Sequence, residues 1–277
     1  MEDDPPPPPP PTPTLSAARE ASCQRATQSG NLFAETAQAR GEPGAVAPSP
    51  ALARAVAAAR ISQDAGLARE LLMVFVVSED QATAGQARIF LAQALVRTAP
   101  LDLGKVAQEV RDLLSPADRF AENTDALYIR SVLLANESKY PEAIARLNKA
   151  ITLNPKFYNA VMYRAILQMR QADSGFRNRG DCRQLTADIV SSVVPVATLG
   201  ACPLQLAHFR LALDRHLPPA TSPRRNEMLR ATELALAFAA RKDALHREIL
   251  TDMLTNTDGG YSCGRELARH DFGNPLE

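Results

Sequence analysis

The chain has 277 residues, 45% of them hydrophobic, so it can bury a sizeable core; Lys+Arg and Asp+Glu are equal at 31 each. With no basic surplus to neutralise phosphates, nucleic-acid binding is not expected. Aromatics are only 5% and tryptophan is absent, while alanine, leucine and arginine dominate, a balance that suits helices because these residues lose little rotamer freedom there.

In chain order, the first feature is a proline run, Pro5–Pro11 and Pro13. Proline fixes φ and lacks an amide donor, so this stretch reads as an extended polyproline II rod. It serves as a semi-rigid spacer or as a ligand for an aromatic groove; the spacer is preferred because PxxP spacing is met trivially inside such a run. Met1-Glu2-Asp3-Asp4 lacks the basic region and apolar core of a secretory signal. Leu15–Ala39 has room for one or two short helices, and the breaker cluster Gly41–Pro50 follows. Residues 1–49 are therefore expected to be a proline-rich, mostly disordered linker.

Helices follow closely from Ser49. Ser49-Pro50 fits a cap with proline at the first helical position, opening Ala51–Asp64. Leu67–Val77 comes next, with apolar residues too dense to face solvent; its Leu71–Val77 run is far short of the roughly 20 residues of a membrane span. Ser78 or Asp80 is placed to cap Gln81–Thr98, in which Ala87, Phe90, Leu91, Ala94 and Leu95 recur at helical spacing. Pro100 separates that helix from Leu103–Leu114, and Ser115-Pro116 repeats the cap-plus-proline signal. No strand alternation persists; Pro195 interrupts the nearest case, Val193–Ala197.

Thr124–Pro155 has the pattern of two helices crossing closely. Leu127, Ser131 and Leu134 share one face of the first helix, with small Ser131 at the crossing. Lys139-Tyr140 makes the turn, and Ala143, Leu147 and Ala150 line the second helix small-large-small. Asn154-Pro155 stops it, because proline disfavours helical geometry in the residue before it. This segment resembles the tetratricopeptide repeat, whose period is 34 residues. It departs from that family at Arg130, where an apolar residue is usual. A degenerate second repeat follows: Val161 and Ala165 on its first helix, then Gly180–Ile189 with Leu185 and Ile189 at core positions. Gly180 arrives eight residues late, so a lengthened first helix or a protruding loop is expected around Ala172–Arg179.

The resemblance implies an all-α, right-handed solenoid of antiparallel helix pairs over residues 50–256, with its repeat core at 124–195. Stacked pairs create a concave groove. In that family the first helix of each repeat faces the groove, which here implies Asp125, Tyr128, Val132, Ala135 and Asn136, then Asn159, Met162, Ile166, Met169 and Arg170. Tyr128 and Val132 stand where chaperone-binding members place the Lys and Asn that clamp a C-terminal carboxylate. The expected ligand is instead a helical or extended protein segment with apolar anchors. The bland alternative is that several of these residues, especially Val132 and Ile166, simply pack against neighbouring helices.

Beyond Cys202, helices are expected at Pro203–His216, Arg224–Ala240 and Asp243–Asn256, with a loose tail over 257–277. No motif for a metalloprotease, serine hydrolase, dinucleotide or phosphate loop is present, and no cofactor or metal site is expected. His208 and His216 have no acidic partner at ligand spacing, and Cys263 and His270 lie in the loose tail, where preorganisation is poor. Cys182 and Cys202 form the cysteine pair of interest: a bridge between them requires Ser192–Ala201 to run back across its helix.

The functional expectation is a non-enzymatic scaffold or adaptor. The spacer, the paired cysteines and the Ala/Arg-rich composition place it in a bacterial envelope, with an anchor removed, helping to assemble a pilus, motility, secretion or polysaccharide complex. The rivals are a cytoplasmic chaperone or adaptor with reduced thiols, and a homo-oligomer that stacks through the end of its own solenoid.

Overall fold

The computed structural model describes residues 47–62, 64–98, 103–115, 117–175, 192–193, 195–196, 209–214, 217 and 223–239. Among these the regular structure is entirely helical, and no strand occurs. The helices are α1 (Pro50–Ser62), α2 (Ala65–Val76), α3 (Gln81–Thr98), α4 (Leu103–Leu113), a 3-10 turn at Ala117–Phe120, α5 (Thr124–Asn136), α6 (Tyr140–Leu153), α7 (Tyr158–Gly175) and α8 (Pro223–Ala239). Residues 209–214 are also helical. No helix of the described residues is long and apolar enough to cross a membrane.

Caps set the boundaries. Asp64, expected to end the first helix, instead caps the second: its Oδ1 accepts from Gly66 N at 2.7 Å and Leu67 N at 3.3 Å. Satisfying two orphan amides outweighs one further residue of helix, so α1 ends at Ser62 and α2 begins at Ala65. Asp80 caps α3 in the same way, accepting from Ala82 N and Thr83 N at 3.2 Å each. Asn123 Oδ1 accepts from Ala126 N at 2.9 Å at the start of α5.

The α5–α6 turn closes with Lys139 N donating to Leu134 O at 2.9 Å and Ser138 N to Ala135 O at 3.0 Å. That is the Schellman pattern, and it puts Ser138 at φ 60°, in the left-handed region. Pro141 occupies the first turn of α6, where its missing amide is not needed. Asn154 ends α6, its Oδ1 accepting from Lys156 N at 2.9 Å to turn the chain into α7.

Each helix from α1 to α6 packs on the next in sequence, and α1 also touches α3, as α3 touches α5. Arg69 on α2 reaches Glu109 on α4, donating from Nε at 2.8 Å and from Nη2 at 2.6 Å. Two buried clusters result, and α5 lies between them. It gives Ala126, Ile129 and Leu133 to the N-terminal cluster and Leu127 and Ala135 to the C-terminal one. At the α5–α6 crossing Ser131, Ala143, Leu147 and Ala150 are all 0% exposed. Ser131 Oγ donates to Tyr128 O at 2.6 Å, so its hydroxyl is satisfied without a cross-helix partner. Helix α7 has 18 residues against 13 in α5; the remainder of the Ala172–Arg179 region, where a lengthened helix or a protruding loop is expected, lies outside the described residues.

Candidate functional site

The expected groove residues divide sharply in the structure. On α5, Asp125 is buried in the first turn, Tyr128 and Val132 are half-buried, Ala135 is buried and Asn136 is exposed. On α7, Asn159 and Arg170 are half-buried, whereas Met162, Ile166 and Met169 are buried. The expectation that those three line an open face is corrected. They share one core with Phe209 and Leu213 from residues 209–214 and with Met228 and Leu234 of α8. Val132 packs against both clusters. The cause lies in α7 itself: between Phe157 and Met169 only Asn159, Arg164 and Gln168 are not apolar or aromatic. A helix apolar on every side is a buried helix. That density is the sequence signal for burial here, and it overrides the groove positions the repeat register implies.

What α5, α6 and α7 do bring together is an aromatic cluster. The Tyr128 ring lies 5.6 Å from Phe157 and 5.8 Å, edge-on, from Tyr163. Arg170 places its guanidinium 5.1 Å from the Tyr140 ring centre, a cation–π contact. Burial, aided by the charge of Asp125, pushes the Tyr128 hydroxyl up to about 12. Burial raises Tyr163 further, with neighbouring Tyr128 adding to it. These phenols stay neutral at physiological pH. Arg210 grips Glu233 of α8 through Nε at 2.5 Å and Nη2 at 2.7 Å.

A second departure concerns α2, expected to be covered on all sides. Ala68, Leu72 and Val76 are buried, but Leu67, Met73, Val74 and Val77 are 36%, 43%, 65% and 73% exposed. No group of three or more His, Cys, Asp or Glu that could hold a metal occurs among the described residues. Cys182, Cys202 and all four histidines lie outside those residues. No family model, curated protein or solved structure matches the chain.

Proposed function

We propose that this chain is a non-enzymatic protein-binding scaffold built on tetratricopeptide-type helix pairs, acting in the assembly of a bacterial envelope complex. The observation that carries the reading is the α5–α6 crossing. Ser131, Ala143 and Ala150 are completely buried where the helices approach and Leu147 fills the gap between them, the packing a stacked helix pair needs. The contacts of α1 with α3 and of α3 with α5 extend the same order along the chain. Chains built this way recognise partners through extended helix surfaces. With Met162, Ile166 and Met169 in the core, only Asn136, Asn159, Arg170 and the edge of Tyr128 from the expected set remain outside it. The envelope assignment rests on the proline-rich lead and on the Cys182–Cys202 pair.

Affinity purification of the full chain from its producing organism, with light scattering of the purified protein, tests this. A different protein bound in fixed ratio is the expected result; a chain that only self-associates overturns it. Peptide mapping with thiols blocked at lysis tests the compartment, a Cys182–Cys202 fragment being expected.

A further inference from the structure

Resting on the scaffold reading, we propose that its docking face is the outer stripe of α2, and that it takes an amphipathic helix carrying a lysine or arginine within its apolar stripe. Residues Leu67, Glu70, Met73, Val74 and Val77 recur at spacings of three and four, so they form one strip along the helix. At 1.5 Å per residue the strip is about 15 Å long, some three turns of a docked helix. All five are exposed, while the opposite side of α2 (Ala68, Leu72, Val76) is sunk in the core. Of the six large apolar side chains exposed among the described residues, four lie here, so the patch is local and not a general feature of the surface.

Charge chooses the occupant. The one charge inside the strip is Glu70, and Glu79 and Asp80 follow at its C-terminal end. Glu70 and Glu79 make no ion pair among the described residues, whereas Arg69, one residue away, is engaged by Glu109. An apolar strip with a central carboxylate awaiting a partner is complementary to a helix with a central cation, and it disfavours both a like-charged helix and an anionic membrane surface. A second copy of α2 set on this strip would bring the two Glu70 side chains into one apolar contact, which is unfavourable.

The test uses the full chain and two labelled synthetic helical peptides of about four turns, identical except for Lys or Glu at the centre of a leucine stripe, read by fluorescence anisotropy. The Lys peptide is expected to bind at least tenfold more tightly. Glu70→Lys is expected to reverse that order, and Val74→Asp to weaken both peptides at least tenfold with unchanged circular dichroism. Equal affinity for the two peptides, or indifference to both variants, overturns the proposal. So does a benzoylphenylalanine at position 77 that crosslinks to the chain itself, to a second copy or to anionic vesicles in preference to the Lys peptide. The two readings fail separately. A native partner that still binds the Val74→Asp chain removes this face and leaves the scaffold; peptide binding with the expected charge order, but no native partner, does the opposite.

Discussion

The hairpins α1–α2 and α5–α6 are built alike but meet solvent differently. In each, a cap residue opens a helix, a short turn reverses the chain, and small and large apolar residues interleave in the seam. On α6 the side away from the seam is polar, with Glu142, Arg146 and Lys149 exposed at helical spacing. On α2 and its C-terminal cap residue the corresponding side carries Leu67, Met73, Val74 and Val77. Only the seam is required for the fold, so the outer side is free to vary. Where it stays apolar, burying it against another molecule is worth about 25 cal/mol per Å². The difference separates what holds the chain together from what remains available to a partner.

The sharpest way to break that comparison is to shorten one apolar side chain in each region. Leu147→Ala removes a wholly buried residue and is expected to lower stability by about 2–5 kcal/mol; Val74→Ala should stay within about 0.5 kcal/mol. Thermal or urea unfolding of both variants measures this, and comparable losses would mean that α2 is covered in solution.

High pH divides the regions next. The Tyr128 hydroxyl ionises at about 12 when folded, against about 10 in the unfolded chain. The stabilisation it reports is complete below pH 10 and is lost as pH rises towards 12, since the unfolded state gives up the proton first. The loss amounts to at most about 3 kcal/mol. Residues 50–77 contain no tyrosine. Hydrogen exchange across this pH range is expected to loosen α5–α7 before α1–α2, and Tyr128→Phe to reduce the difference without abolishing it, because burial raises the Tyr163 hydroxyl as well.

Adding volume tests the seam more gently. Ala143→Leu should cost about 1–3 kcal/mol through overpacking, and Ala145→Leu, on the exposed side of the same helix, under about 0.5 kcal/mol. Equal shifts in melting temperature would argue against the close crossing.

The smallest effect joins α2 to α4. The Arg69 guanidinium holds the Glu109 carboxyl below its usual range, chiefly through its hydrogen bonds. That contribution is present above the ordinary carboxylate pKa and is lost as pH falls through the lowered value. Both side chains are more than a third exposed, so solvent screening keeps the pair below about 1 kcal/mol. Arg69→Gln should remove a slight extra loss of stability in acid, visible in melts from pH 6 downward.

Much of the fold was legible because its signals are local. Gln81–Thr98 appears with both ends as expected, fenced by Asp80 and the sequence around Pro100. The small-large-small seam of α6 is likewise a pattern within one helix. The candidate site was less legible because exposure depends on distant partners. Met162, Ile166 and Met169 belong to a buried cluster that also takes in Phe209, Leu213, Met228 and Leu234, some 40 to 70 positions later in the chain, and no helical period reports that. On α2 the opposite holds: its apolar density does not amount to burial, because nothing in the described residues covers the outer strip.

Ser138 carries a consequence of its own. An L-residue in the left-handed region is disfavoured by roughly 1–2 kcal/mol; glycine would occupy that turn without the penalty, and its greater unfolded-chain entropy would offset only about 0.5–1 kcal/mol of the gain. The hairpin therefore holds a reserve of stability that a single deleted side chain, Ser138→Gly, would release. For anyone wishing to harden the molecule without touching either face, this turn is the place to begin: its hydrogen bonds run between backbone atoms and would survive the change.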